Sequence, residues 1–281
     1  MQLVVFVNVL QIRIFPYLCT INKEYVMKKY LEELHKLKLF RLKDIVVLSG
    51  NENSAKDLLQ NYKKQKLVCH IRRDLYSVTD LATKIHTANK FEIASQITDS
   101  SYLSYHSALE YHGLAQQVFY DIYVSSNKKF NSFEFDEINY LFCQSKNDLG
   151  VTTPSADTLI HVTDLERTVI DCIDRIDRSG GIEEVVKCFS LLTFLNEEKL
   201  LKYLEQYSKQ FLYQKVGFIL QYFKNETKLS EKVFDLCKSK IGMSTRYLTE
   251  PQESDTYFTE WKICAPANIL LFLEQGGTAN V

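Results

Sequence analysis

The chain has 281 residues, of which 46% are hydrophobic and 25% charged, and its net charge is −1. This composition is typical of a soluble globular protein and allows a head of about 60 residues with a body of about 200. The seven cysteines are widely spaced and include no CxxC pair, which argues against a disulfide framework and a zinc site. We therefore expect reduced thiols and a cytoplasmic protein.

The first 21 residues are apolar, but Asn8, Gln11 and Arg13 interrupt the run. They lack the basic start and small-residue cleavage site of a signal peptide, and the run is short for a membrane span. We expect an extension outside the fold, or a start-site artefact with Met27 as the true first residue. A docking strand and a membrane association are the alternatives.

The next informative segment is Leu42–Val78, which predicts two short helices joined at Ser49-Gly50 and then a β-hairpin. The second helix is predicted over Asn53–Lys66, with apolar residues at the i, i+3, i+4 and i+7 spacing of one buried face. These residues are Ala55, Leu58, Leu59 and Tyr62. Helices followed by a basic hairpin predict a winged helix-turn-helix domain over residues 22–80.

The opposite face of that helix and the hairpin tip carry polar and basic side chains suited to a nucleic-acid duplex. We expect Ser54, Gln60 and Asn61 to read bases. The basic residues expected to contact phosphate are Lys56, Lys63, Lys64, Arg72 and Arg73. The alternative is a small module whose head docks on a protein partner, or one that binds no ligand.

Charge distribution agrees with a DNA-binding head. Residues 22–80 contain 13 Lys or Arg and 8 Asp or Glu, a net of +5. Residues 81–281 contain 20 Lys or Arg and 27 Asp or Glu, a net of −7. A basic head on an acidic body orients the protein as it approaches phosphate.

The body pattern begins with a helical connector over residues 80–96 and a helix with Ser104 as N-cap and Gly113 as its C-terminal glycine. Three strand-like runs suggest a meander, and a fourth apolar run precedes a helix whose capping box would be Thr163 and Glu166. The four runs are Gln117–Val124, Phe130–Phe135, Ile138–Cys143 and Thr158–Val162.

Beyond Gly180-Gly181 the pattern is helical, and the tail from Thr245 is expected to be irregular. Asn196 and Ser230 are the predicted N-caps of the second and fourth helices. The predicted helices are Ile182–Leu192, Asn196–Tyr207, Phe211–Phe223 and Ser230–Lys240.

The sequence gives little support for an enzymatic function. Asp164, Glu166, Asp171 and Asp174 could ligate a metal in a nuclease, but helix capping and ion pairs with Arg167 explain them better. His106 and His112 are six residues apart, on different helix faces, and are expected to be core or helix-end histidines. No Walker A, GxGxxG, HExxH or nucleotidyltransferase signature is present. We therefore predict no catalytic residues, no metal and no cofactor.

Three segments of the body carry a family resemblance: YLSYHSALEYHGL, DLERTVIDCIDR and GGIEEV. Together they resemble AbiEi-type antitoxins, the transcriptional regulators of type IV toxin–antitoxin systems that act in abortive infection and phage defence. The resemblance spans about residues 27 to 265. The chain departs from the family at the wing, where Arg73-Asp74-Leu75-Tyr76 replaces Arg-Gly-Leu-Tyr, and in its N-terminal extension.

The resemblance implies that the head binds inverted repeats in double-stranded promoter DNA and represses its own operon. It also implies that the body counteracts a nucleotidyltransferase toxin encoded by the neighbouring gene, whether or not the two proteins touch. We thus expect an α+β protein without membrane partners. Its residues 81–281 would form an antitoxin-like domain with a small antiparallel sheet and a helical bundle. A protein-interaction module is the main alternative, and a metal-dependent nuclease is the weaker one.

Overall fold

The computed structural model describes residues 27–155 and 158–278, so the extension predicted over residues 1–21 lies outside the described chain. The chain divides into two compact units, the first ending at Asn89 and the second beginning at Lys90. The boundary predicted from the sequence lies nine residues earlier, after Asp80. Each unit has its own buried apolar cluster, and the mixture of helices and small sheets makes the fold α+β.

In the first unit, the described helices accompany a small antiparallel sheet with the order β1-β3-β2. Strand β1 pairs with β3 at Leu39 and Ser77, and strand β2 pairs with β3 at Val68 and Val78. The described elements are α1 (27–37), β1 (Leu39–Phe40), α2 (Leu42–Ser49), α3 (Glu52–Lys64), β2 (Val68–Arg72) and β3 (Leu75–Val78).

Helix α3 forms because Asn51 caps it and because its apolar residues repeat on one face. The Asn51 side chain accepts hydrogen bonds from the backbone N–H groups of Asn53 and Ser54, which satisfies two donors at the helix start. Ala55, Leu59 and Tyr62 are buried in the apolar cluster of this unit, as predicted. The helix starts one residue earlier and ends two residues earlier than the sequence indicated.

The connector after the first unit's sheet corrects the sequence prediction of a helix over residues 80–96. Only the second half is helical, as helix α4 (Lys90–Ser95). Before it, an Asp80 carboxylate oxygen accepts from the backbone N–H groups of Ala82 and Thr83. Such side-chain bonds to nearby backbone favour a turn over a helix.

The second unit contains a six-stranded sheet, a group of helices and a three-stranded sheet near its end. Its described strands are β4 (Tyr102–Leu103), β5 (Asp121–Ser126), β6 (Phe133–Phe135), β7 (Ile138–Gln144), β8 (Val151–Thr152), β9 (Val162–Thr163), β10 (Arg246–Tyr247), β11 (Asp255–Phe258) and β12 (Ile263–Pro266). Its described helices after α4 are α5 (His106–Tyr111), α6 (Leu165–Asp174), α7 (Ile182–Phe189), α8 (Glu197–Tyr207), α9 (Gln210–Leu220), α10 (Lys224–Thr227), α11 (Glu231–Ser239) and α12 (Ile269–Thr278).

The larger sheet is mixed, so the predicted antiparallel meander is wrong. Its order is β6-β7-β5-β4-β9-β8, and β5 pairs with β7 in parallel along six residue pairs. A tight turn at Asp136 and Glu137, both with positive φ, folds β6 against the far edge of β7. Because β6 occupies that edge, the other edge of β7 pairs with β5. Only Val162 of the predicted run Thr158–Val162 lies in a strand, namely β9.

Helix α5 begins differently from the prediction. The Ser104 hydroxyl is not a cap, because it is buried and lies 2.8 Å from the Ser125 hydroxyl. Tyr105 occupies the N-cap position with φ 55° and ψ −136°, a backbone conformation that is strained for a non-glycine residue. The helix ends at Tyr111 with His112 as its C-cap, and Gly113 follows with φ +75°, which confirms the predicted C-terminal glycine.

The predicted capping box at helix α6 is also wrong. The N-cap is Asp164, whose carboxylate accepts from the backbone N–H of Arg167 at 3.0 Å. The Thr163 hydroxyl instead bonds to the Thr168 hydroxyl, and Glu166 accepts from the backbone N–H of Asn196. Glu166 thus links the start of α6 to the start of α8, because its carboxylate binds a backbone N–H that lies 30 residues later in the chain.

Replacing Asp164 by alanine should lower the free energy of unfolding by about 1–2 kcal/mol, because the first turn of α6 loses its acceptor. The same carboxylate also accepts from the Tyr203 hydroxyl at 2.8 Å. Asp164→Asn keeps an oxygen at the cap and should cost less. Urea denaturation of both variants measures the difference, and an alanine variant as stable as the wild type would contradict this account.

Helices α7, α8, α9 and α11 follow the predicted order and lie close to the predicted bounds, whereas the short helix α10 was not predicted. Asn196 caps α8 through the backbone N–H of Lys199, as predicted. Helix α11 begins directly after Ser230, although the Ser230 hydroxyl donates to Glu197 instead of capping. No helix of the described residues is long and apolar enough to cross a membrane.

The tail from Thr245 is regular, contrary to the prediction. Strands β10, β11 and β12 form a sheet, and helix α12 follows. Trp261 in this tail is 1% exposed and packs against Gly217 of α9, where an added Cβ would lie 2.0 Å from the indole ring. The short tail strands are therefore held by an apolar anchor in the core of the unit.

Candidate nucleic-acid interface

The outer face of α3 carries six of the residues predicted to contact DNA. Five are exposed and Asn61 is half-buried, and the apolar face of the same helix lies in the core. The five exposed residues are Ser54, Lys56, Gln60, Lys63 and Lys64. The structure therefore brings these side chains together on one surface of the first unit.

Two of the lysines already contact other side chains. The Lys56 ammonium lies 2.6 Å from the Glu52 carboxylate, and its hydrogen bond and charge lower the pKa of Glu52. An exposed pair of this kind is weak, so a phosphate can replace Glu52 as the partner of Lys56. Lys63 lies 4.9 Å from the ring centroid of Tyr76 in β3, which directs it toward the hairpin side of the helix.

The hairpin between β2 and β3 turns at Arg73 and Asp74, both exposed. Asp74 has φ 53° and takes a left-handed conformation, which glycine adopts more readily than other residues. Its carboxylate accepts from the backbone N–H of Leu42 at 3.0 Å, and Arg41 donates to its carbonyl oxygen. The carboxylate thus binds the start of α2, where the helix dipole favours negative charge.

Arg72, the last of the predicted contacts, is half-buried at the end of β2. Burial and the nearby Arg41 guanidinium lower the pKa of Arg72. The hairpin and the start of α2 therefore bring a second group of cationic side chains to the first unit.

Sequence reasoning missed four residues of this surface. Asn53 and Asp57 are exposed on α3 and share a face with Gln60 and Lys64 at helical spacing, so the helical period could have identified them. Asp57 is an acceptor of the kind that reads cytosine. Arg41 and His70 reach the surface only through tertiary structure, which no local pattern indicates.

The acidic residues of α6, considered above as metal ligands, are bound by cations and hydroxyl groups. Asp171 pairs with Arg167 at 2.9 Å and also accepts from the Tyr207 hydroxyl. Asp174 pairs with Lys146 and Lys209. In the described part of the chain, no group of three or more His, Cys, Asp or Glu residues could hold a metal ion.

The two histidines considered with them are helix-end and core residues, as predicted. His112 at the end of α5 lies 2.8 Å from the Thr163 carbonyl oxygen. His106 is buried, with Nε2 at 3.3 Å from the Glu184 carboxylate and its ring against Phe119. Burial lowers the pKa of His106, and Glu184 opposes that effect.

Comparison with known proteins shows a similarity of fold. No protein-family model matches the chain, and no curated protein matches it. The fold is similar to a crystal structure of the RV2827C protein from Mycobacterium tuberculosis, with a TM-score of 0.59 and 10% sequence identity. The similarity covers 89% of this chain and 93% of that protein. At this identity the relation concerns the fold alone.

Proposed function

We propose that the first unit is a winged helix-turn-helix domain that binds double-stranded DNA. The supporting element order is helix, strand, two helices and a hairpin, and the sheet order β1-β3-β2 places the hairpin beside the first strand. The observation that carries the proposal is the outer face of α3. Its buried side has the spacing of a core helix, and its outer side presents polar and basic groups next to a basic turn.

In this proposal α3 enters the major groove and the hairpin contacts the adjacent backbone. Gln60 and Asn61 have the amide groups that pair with adenine edges, and Ser54 can donate or accept. Lys64 and Arg73 are exposed and bind phosphate, which fixes the position of the domain without selecting sequence. Arg41 and Arg72 add positive charge where the hairpin meets α2.

The antitoxin role of the second unit rests on its resemblance to AbiEi-type antitoxins. The segments that carry the resemblance contact one another: His106 of the first lies next to Glu184 of the third. His112 of the first contacts the Thr163 carbonyl directly before the second. We therefore propose a cytoplasmic repressor and antitoxin of a type IV toxin–antitoxin operon, active in phage defence. Its promoter would carry inverted repeats, and a neighbouring nucleotidyltransferase would be the toxin.

One experiment in cells tests both halves of this proposal. The protein is expressed beside the neighbouring gene, with a reporter placed under the operon's own promoter. We expect the reporter to be repressed and growth to be restored. A fragment that begins at Lys90 lacks the DNA-contacting residues, so it should lose repression and keep at least part of the growth rescue. A reporter unaffected by the full chain would contradict the repressor role, and unrestored growth would contradict the antitoxin role.

A further inference from the structure

The second unit contains a cleft of about 720 Å³ that the proposed repressor and antitoxin functions do not use. The end of α6, the start of α7, one side of α9 and residues 247–252 line it. Clefts of this size accept small organic molecules. Both apolar and polar side chains form its walls, so the chemistry of the polar ones decides which ligand fits.

Lys215 of α9 is the central polar group of this cleft. It is only 8% exposed, and its ammonium lies 4.7 Å from the ring centroid of Phe211. No carboxylate of the described residues lies within ion-pair distance of it. Burial lowers the pKa of Lys215, and the more distant Asp174 and Asp177 oppose that effect. A buried ammonium without a paired anion is unfavourable.

The two aspartates in the cleft wall are already paired. Asp174 binds Lys146 at 2.5 Å and Lys209 at 3.0 Å. Asp177 binds Arg175 through two hydrogen bonds. Their charges are thus balanced by other cations, and the positive charge of Lys215 has no matching carboxylate in the described chain.

Two further donors belong to the wall of the same cleft. Thr249 is one of its lining residues, and the Thr249 hydroxyl is buried with no hydrogen-bond partner among the described residues. Helix α7 begins after Gly181, which has no side chain to cap it and lies next to open space. The N-terminus of a helix attracts negative groups. An ammonium, a hydroxyl and a helix start therefore belong to the lining of one cleft, and each of them favours an acid group.

The rest of the cleft is suited to a flat apolar body. Tyr247 is 45% exposed and lies beside Leu248 and Pro251 on one wall. Glu250 is exposed on the same segment and disfavours ligands with several negative charges.

We propose that this cleft binds a small organic anion with one acid group, carboxylate or phosphate monoester, and a flat apolar body. The acid group lies against Lys215, Thr249 and the start of α7, and the body packs on Tyr247. This inference does not depend on the DNA-binding or antitoxin role.

Isothermal titration of the full chain with AMP, naphthoate, ATP and inorganic phosphate tests the proposal. We expect saturable binding with one site per chain for AMP or naphthoate, and weaker binding for ATP and inorganic phosphate. AMP binding without naphthoate binding identifies a phosphate ligand, and the reverse identifies a carboxylate ligand. The absence of binding by both would overturn the proposal, as would inorganic phosphate binding as tightly as the better of the two.

Variants locate the site. Lys215→Met removes the ammonium and should weaken the binding of the better probe about tenfold or more, as expected for a lost charge-assisted hydrogen bond. Thr249→Val removes only the hydroxyl and should weaken it several-fold. Lys202→Met, an exposed lysine of α8, serves as the matched control. Unchanged affinity in both cleft variants would overturn the assignment, and thermal melting verifies that each variant is folded.

Discussion

Replacing Arg167 by methionine should lower the free energy of unfolding by about 3–5 kcal/mol, the effect expected when one partner of a buried ion pair is removed. Arg167 and Asp171 are each 2% exposed, with 2.9 Å between their charged groups. Arg167 also donates to the Leu149 carbonyl and the Asn147 side chain. The variant would leave the Asp171 charge buried, with the Tyr207 hydroxyl as a donor and the Lys146 ammonium, 3.7 Å away, as the remaining cation.

Two further variants make this prediction specific. Arg175→Met breaks an exposed arginine–aspartate pair that follows the same helix, and it should cost less than about 1 kcal/mol. Adding Asp171→Asn to Arg167→Met removes the stranded charge and should recover part of the loss. Chemical denaturation of the wild type, Arg167→Met, Asp171→Asn and the double variant measures the coupling energy, with Arg175→Met as the exposed control. Equal losses for Arg167→Met and Arg175→Met would contradict the role of burial.

The second large effect concerns DNA binding. The double variant Lys64→Glu/Arg73→Glu should weaken binding to every duplex by about a hundredfold, since each lost charge-assisted contact is worth about 1.5 kcal/mol. Both side chains are exposed on the proposed interface. The control Lys202→Glu/Lys232→Glu makes the same charge change on exposed lysines of the second unit. Fluorescence anisotropy should show little loss for the control, and equal losses would contradict the proposed interface.

A further variant is expected to strengthen DNA binding instead of weakening it. Asp74→Asn removes the negative charge of the hairpin turn, and asparagine tolerates the left-handed φ of 53°. Its side-chain oxygen can still accept from the Leu42 backbone. We expect DNA to bind more tightly. Unchanged binding by Asp74→Asn would place the hairpin away from phosphate, and weaker binding would contradict the expected repulsion.

In contrast, Gln60→Ala or Asn61→Ala should lower the binding free energy by roughly 1–3 kcal/mol on the cognate site alone.

The elements of the first unit were largely predictable because their signals are local. The apolar spacing of Ala55, Leu59 and Tyr62 shows directly which face of α3 is buried. The hydrogen bond between the Asp74 carboxylate and the backbone N–H of Leu42 was not predictable in the same way, because the two residues are 32 positions apart in the chain.

The errors in the second unit come from competition among non-local partners. Thr163 and Asp164 are both suitable N-caps for α6. Asp164 is the cap in the structure because Thr163 bonds to Thr168 and Glu166 bonds to Asn196. The order of β5, β6 and β7 depends on which strand edges remain open, which alternation along a strand does not reveal. The tail strands depend on Trp261 packing against Gly217, a contact between distant segments.

In the candidate interface, too, some residues were predictable from local signals and others depend on non-local contacts. Exposed residues of α3 follow from the helical period, including Asn53 and Asp57, which a stricter use of that period would have found. Arg41 joins the surface only because the hairpin folds onto the start of α2. The cleft around Lys215 is lined by four separate segments of the chain, and no sequence motif predicts it.

The salt dependence of wild-type binding to the operon's promoter tests the central claim most directly. The five basic residues proposed to contact phosphate predict that log K falls with log salt concentration with a slope of about −4.5 per bound domain, at 0.9 per phosphate contact. Binding at low salt with a slope near this value, and tighter binding to the promoter than to a scrambled duplex, is the predicted result. No binding to either duplex at low salt would contradict the assignment of the first unit as a DNA-binding domain.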